Sequence, residues 1–435
     1  MLLRHIGAWL NDRDWRWPAL FLILGAMERV AWLIARGHLG FAQGEAANTA
    51  IAFARTGEIA DVFAKGSGLT AHLNPLLPMI AGFLYRLFGI RSVPSELILM
   101  TMSIGAALLS AALFYHIFGL LGGSRRARLT ALALFCLLPV NLQTESITFR
   151  IWEGAVAMAL TAATLLLVIQ ADRAQMVSYP RIALTSLLAA LLFFLSPALG
   201  LALYICTIIW AIRRLPLARW PATAAIATAA LVAVLTPWTV RNYQAFHQFI
   251  PLRSNFGLEL ALANHPAAVS DRDNAAVFRA RLSEIHPLEN GGAFEKMQAA
   301  GGERAYAERL GQEAKAWIAS HPGDFARLCI RHLKQFYFPP AWQWSIYGQT
   351  SKATMAKTAL LWAISFCGLV GALSALLLWR GPWLYVAIVT LVPSLPYIIT
   401  QPVSRYRYIV YAALLFLGCE WISRIPSWVR RTPAQ

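Results

Sequence analysis

Charge is what this sequence has least of. Only 14% of its 435 residues are Asp, Glu, Lys or Arg, against about 25% in a soluble domain, and the mean hydropathy is +0.53. That scarcity excludes an ordinary soluble globular chain and points to a polytopic membrane protein. Acidic residues are the rarer sign, 21 against 38 Lys and Arg. The basic residues sit mostly between apolar runs, so the excess reports topology and gives no reason to expect a nucleic-acid partner. Cysteines are few: Cys136, Cys206, Cys367 and Cys419 lie inside apolar runs and Cys329 in a polar region. No pair suggests a disulfide or a metal knuckle. Heptads, low-complexity tracts, internal repeats and a clear strand alternation are also missing. The opening stretch "MLLRHIGAWLNDRDWRW" is polar and aromatic, unlike a cleaved signal peptide.

What is abundant is long apolar sequence. A helix needs about 20 apolar residues to cross the hydrocarbon core. Runs of that kind fall near residues 18–36, 95–121, 127–142, 153–170, 182–196, 198–212, 221–238, 358–379, 383–400 and 408–422, about ten spans. The Arg-rich connections "SRRAR", "ADRAQMVSYPR", "RRLPLAR", "WRGPW" and "SRIPSWVRR" alternate with poorer ones. The positive-inside bias then makes both termini cytoplasmic. The parity closes if "PLLPMIAGFLYRLFG", short and interrupted by Pro78, lies along the membrane surface. The expected fold is therefore α-helical and polytopic. Residues 1–240 form a membrane module with an outer first loop at 37–94, residues 241–357 a mostly helical extracytoplasmic domain, and residues 358–435 the last spans and a cytoplasmic tail. In the outer domain, "GGERAYAERLGQEAKAWIASHPGDFARLCIRHLKQFYF" spaces its apolar residues by three and four, as amphipathic helices do.

Few ionisable residues fall where chemistry could use them. Glu45, in "GHLGFAQGEAANTAIAFARTG", is the lone acid of its loop. It reads either as a helix-start acid favoured by the helix dipole or as a general base facing the exterior. Glu153 opens the fourth apolar run and poses the same choice, with Glu145 just before it in the loop. Arg241 follows the seventh run in "PWTVRNY", and Arg405 and Arg407 head the last in "QPVSRYRYIVYAALLF". Arginine pairs bidentately with phosphate oxygens, although Arg and Tyr also anchor helices at membrane interfaces. Glu28 and Arg29 lie inside the first run, where hydrocarbon makes them costly unless they face protein or water. His72 and Asn74 in "GLTAHLNP" could contact a sugar or help hold a metal ion. Lys65, Arg253 and Asn264 fall in outer loops and read more simply as solvated.

The first-loop order of an acid, a helix ending in Thr-Gly, a Gly/Thr/His segment, a proline-rich entry and a Leu-Phe-Gly end resembles that of GT-C glycosyltransferases. These are polytopic enzymes related to protein O-mannosyltransferases and the lipid A aminoarabinose transferase. "TPWTVRNYQAFHQFIPLRSNFGLELALANHP" and "GGERAYAERLGQEAKAWIASHPGDFARL" are similar to blocks that follow in such proteins. The resemblance implies transfer of a sugar from a polyprenyl-phosphate carrier to a lipid, glycan or protein acceptor outside a bacterial inner membrane. It implies an active site facing the periplasm or exterior, Glu45 and Glu153 as acids, and an Arg-Tyr pair near the carrier phosphate. It names no certain cofactor, and a divalent metal at the acids is admitted without being demanded. Many relatives carry Asp-Glu in the first loop where this chain has Gly44-Glu45. Two other classes stay open: a transporter or flippase of lipid-linked intermediates, and a catalytically inactive envelope scaffold.

Overall fold

The computed structural model describes residues 15–37, 39–270, 273–344, 350–379 and 381–429, with side chains to 425. Residues 1–14 and 430–435, which contribute to the reading of the termini, lie outside the described residues, as does Arg380 in "WRGPW". Among the described residues there is no strand, only an isolated antiparallel bridge between Ala60 and Leu69.

In chain order the α-helices are α1 Arg16–Ala35, α2 Glu45–Thr56, α3 Leu76–Phe88, α4 Val93–Leu120, α5 Arg125–Leu137, α6 Leu142–Ser146 and α7 Gly154–Arg173. Then come α8 Tyr179–Leu195, α9 Pro197–Arg214, α10 Trp220–Phe246, α11 Phe256–Ala263, α12 Asn274–Ile285, α13 Gly291–Ala299, α14 Glu303–Ser320 and α15 Pro322–Tyr337. The chain closes with α16 Lys352–Leu377, α17 Trp383–Leu391, α18 Ser404–Arg407 and α19 Tyr411–Val429. By length and composition 7 helices can cross a membrane: α1, α4, α7, α9, α10 with its preceding turn, α16 and the α18–α19 run. The other expected runs take different forms. α5 and α6 are bent by 69°, α8 is a shorter apolar helix, and α17 continues as a 3-10 helix to Ile398. The bend has a local cause: Pro139 disfavours helical backbone at the residue before it, and α5 stops at Leu137.

The bundle interior is mostly apolar. α19 is its central rod, with Tyr411 to Leu417 all buried against α16 and α5. The polar helices 256–337 gather at the bundle end that carries α2 and α18. There α11 crosses α14 in direct backbone contact at Gly257, where a Cβ would stand 1.9 Å from the Ala307 carbonyl oxygen. Only glycine permits that crossing, and it fixes the height at which Glu259, two residues on, enters the space between the polar helices and the bundle.

Buried ion pairs weld the same end together. Arg150 meets Glu96 at 2.7 Å and donates to the carbonyls of Leu39 and Gly40, both at 2.9 Å. Tyr85 donates its hydroxyl to the other Glu96 oxygen at 2.8 Å. Arg29, inside α1, donates to Glu145 at 2.7 Å and to the carbonyls of Gly25 and Cys136, while Tyr408 donates to the second Glu145 oxygen at 2.7 Å. Each charge in these two groups is paired and hydrogen-bonded, as burial requires.

Candidate active site

Between α2, the polar helices and the start of α18 lies a cavity of about 820 Å³. Its wall carries the ionisable residues Glu45, Arg91, Glu259, His286, Glu289, Lys357 and Arg405 among apolar, amide and hydroxyl side chains. It thus joins a first-loop acid to an arginine 360 residues later in the chain.

Glu45 is the first residue of α2, where negative charge suits the helix dipole. The residue before it, Gly44, has φ 88 and ψ −162, a backbone region essentially reserved for glycine. Glycine at 44 is therefore built into this loop shape. An aspartate there would have to change the backbone as well as add a charge.

Two histidines converge on Glu45. His72 Nε2 stands 3.0 Å and His286 Nε2 3.2 Å from the same oxygen, Oε1. Neither approach has ideal hydrogen-bond angles, yet both nitrogens stand at contact distance and act on the same oxygen. Burial alone would raise the Glu45 carboxyl, but the His72 charge and contacts with both histidines hold it well below the ordinary carboxylate range. For His72, burial pushes the imidazole down and Glu45 pushes it up, with Glu303 and Glu259 adding to a net rise. Glu259 is raised by burial first and by the Glu45 charge second. Two acids of one cavity are thereby driven apart in acidity, the pattern by which one site can separate the roles of two carboxyl groups.

His72 is held in place from behind. Glu303, at the start of α14, accepts from the Thr70 hydroxyl at 2.6 Å and the Ala71 amide at 2.8 Å. Arg241 donates to the Thr70 carbonyl at 2.7 Å and the Ile59 carbonyl at 2.6 Å. Asn74 donates to the Phe194 carbonyl at 2.7 Å and accepts from the Leu76 amide at 3.0 Å, tying the same segment to the end of α8.

Arg405 lies over the Trp152 ring at 4.3 Å and contacts Tyr406, whose hydroxyl accepts from it at 3.2 Å. Among the described residues no carboxylate forms an ion pair with it, and its Nε has no acceptor. The other named residues lie off the cavity wall. Glu153 is paired with Arg253, which also donates to the Leu195 carbonyl. Arg407 is buried, donating to Ser365 Oγ at 2.7 Å and the Leu361 carbonyl at 3.1 Å. The structure therefore brings Glu45, His72 and Arg405 together and places Glu153, Asn74, Arg241 and Arg407 around them.

Sequence reasoning missed His286 and Glu259. Glu259 had a signal, a single acid inside the apolar stretch "FGLELALA". His286 had only its place at the end of an amphipathic helix.

Glu45, His72 and His286 are also the one acid–histidine group among the described residues with metal-like spacing, their ligand atoms lying within 4.8 Å of one another. The tautomer tells against a ready-made metal centre. The Leu288 amide donates to His286 Nδ1 at 3.3 Å, which leaves the ring proton of the neutral form on Nε2, facing Glu45. An ion could use His286 Nε2 only after that contact is given up, because a ligating histidine normally donates through its other nitrogen.

Fold and cavity together define a polytopic helical membrane protein with a mixed-charge chamber at one end of its bundle. No family model and no curated protein matches the chain. Among solved structures it is similar to the apo crystal structure of the Archaeoglobus fulgidus oligosaccharyltransferase, with TM-score 0.54 and 15% identity over 97% of this chain and 52% of that one. A second is archaeal oligosaccharyltransferase AglB from Archaeoglobus fulgidus in complex with an inhibitory peptide and a dolichol-phosphate, with TM-score 0.43, 14% identity and the same coverage of 97% and 52%. The chain spans about half the length of these proteins. The first likeness shows the fold alone: the helical architecture of this chain is similar to that of about half of the oligosaccharyltransferase.

Proposed function

We propose that this chain is a membrane glycosyltransferase that takes a sugar from a polyprenyl-phosphate carrier and transfers it, on the extracytoplasmic side, to a lipid, glycan or protein acceptor. The observation that carries the reading is Arg405: a guanidinium without a carboxylate partner, opening into the chamber that also holds a deprotonated Glu45. A cation of that kind suits the carrier phosphate, which leaves as an anion, and its planar fork can take two phosphate oxygens. Lys357, stacked on Trp344 at 3.9 Å, adds positive charge to the same wall.

The reaction breaks the bond between anomeric carbon and phosphate oxygen and forms one to the acceptor. Glu45 Oε1 accepts the acceptor's proton and faces the positive charge developing on the sugar. His72 and His286 keep Glu45 charged and oriented. Glu259 hydrogen-bonds a sugar or acceptor hydroxyl across the chamber. Arg241 and Asn74 act through the 70–74 segment by setting His72, while Glu153 with Arg253 and Arg407 with Ser365 shape the chamber's outer frame.

Proteoliposomes loaded with a labelled polyprenyl-phosphate sugar test this reading. Wild type releases carrier phosphate in the presence of acceptor. Arg405→Ala stays folded and loses turnover, with the loss appearing in donor KM as well as kcat. Undiminished turnover in Arg405→Ala would remove the phosphate assignment. Absence of turnover by wild type with every native carrier would favour a scaffold.

A further inference from the structure

A second cavity, of about 380 Å³, lies at the far end of the bundle between α7, α8, α9 and α10. Its lining is mostly aliphatic, yet three residues that line it each bury a polar atom with no partner among the described residues: the Trp210 indole N–H, the Thr223 hydroxyl and the Tyr204 hydroxyl. Trp210 is only 6% exposed. A buried donor left without an acceptor is costly, and in most proteins something fills the role. Trp210 is a donor only, so what it needs is an acceptor.

The cavity's setting limits what that acceptor is. Trp210 stands about one turn before the end of α9, and Thr223 about one turn into α10. The connections beside them carry Arg173, Arg181, Arg213, Arg214 and Arg219, with the buried Asp172 as the one acid. These arginines flank the cavity rather than line it, and Arg214 is paired with Asp172 at 3.4 Å while Arg181 donates to Gln170 at 2.8 Å; outward from the apolar lining the order is hydrocarbon, then hydrogen-bond donors, then positive charge. Below an anionic headgroup, a diacyl glycerophospholipid has ester carbonyls and then acyl chains, which is the matching order. An isoprenyl phosphate has no acceptor between tail and phosphate. Tyr204 lies deeper, and one water satisfies a hydroxyl there.

We infer that this cavity is a binding site for an anionic glycerophospholipid of the leaflet facing the Arg-rich connections. Trp210 and Thr223 donate to its ester carbonyls, an acyl chain fills the cavity, and the phosphate meets the arginine rim. The site is independent of the catalytic reading and would stand if that failed.

Native mass spectrometry tests it on the full chain released from nanodiscs containing equal phosphatidylglycerol and phosphatidylcholine of matched acyl chains. Wild type retains phosphatidylglycerol preferentially. The Trp210→Phe, Thr223→Val double variant retains about tenfold less, the fold-change for one or two neutral hydrogen bonds, and an added isoprenyl phosphate does not displace the lipid. Equal retention of the two phospholipids, unchanged retention by the variant, or displacement by the isoprenyl phosphate overturns the assignment. If the variant fails to fold, a diazirine-tailed phosphatidylglycerol on wild type decides. Labelling concentrated on residues 204–228 supports the site, and even labelling of all lipid-facing helices refutes it.

Discussion

The bundle holds two kinds of arginine near the same face, one buried and one half-buried. Arg150 and Arg29 have all their charge answered by Glu96 and Glu145, by backbone carbonyls and, through those acids, by Tyr85 and Tyr408. Arg405 has aromatic rings on its flanks and, among the described residues, no acid paired with it. The first arrangement is complete without a ligand, whereas the second leaves a donor open, which is why we propose an anion there. Residue type does not separate a structural arginine from a binding one here. What separates them is whether the protein itself has used up the donors.

Several substitutions would break or sharpen that contrast. The largest effect belongs to Arg150→Ala, which leaves Glu96 buried and unpaired and costs about 3–5 kcal/mol of stability, read as lost expression or a collapsed melting transition. Arg405→Ala leaves no such orphan acid and keeps its melting temperature. Next is Glu45→Gln, with turnover falling about 10²–10⁴-fold, the range for loss of a general base, while the protein stays folded. Gly44→Asp follows: the backbone at φ 88 imposes about 1–3 kcal/mol of strain, so adding a second acid beside Glu45 lowers melting temperature and does not raise turnover.

The smallest effect is a pH dependence. The folded-state value of Glu45 is depressed, so its contribution is present above its ordinary value of 4.5 and is lost as pH falls through the depressed one. The folded-state value of His72 is raised, so its contribution is full below 6.5 and is lost as pH rises through the raised value. Both act together between those ordinary values, and thermal scans across pH should show the stability maximum of wild type there. Glu45→Gln should flatten that profile, and a profile unchanged by the substitution would contradict the coupling.

Much of the fold was legible because hydrophobic runs survive translation into structure: each expected run became a helix. Where the runs were short, at α8 and α17, or broken by Pro139 after α5, length alone could not say how the chain crosses. For the chamber, Glu45 was visible as the lone acid of its loop and Arg405 as a charge at the head of an apolar run. His286 and Glu259 were not, because only the tertiary crossing at Gly257 and the end of α12 bring them to Glu45. Nor could sequence tell that Arg241 and Arg407 point at carbonyls, since a guanidinium that caps backbone and one that awaits phosphate look alike in a string of letters. Glu28 and Arg29 signalled burial against protein, but the partner of Arg29, Glu145, lies 116 residues away.

The most direct measurement is a structure of the full chain with a bound polyprenyl phosphate. The phosphate oxygens are expected within hydrogen-bond distance of the Arg405 guanidinium, with Glu45 Oε1 facing the adjoining sugar position across the 820 Å³ chamber. A phosphate bound elsewhere, with Arg405 still unanswered, would contradict the account.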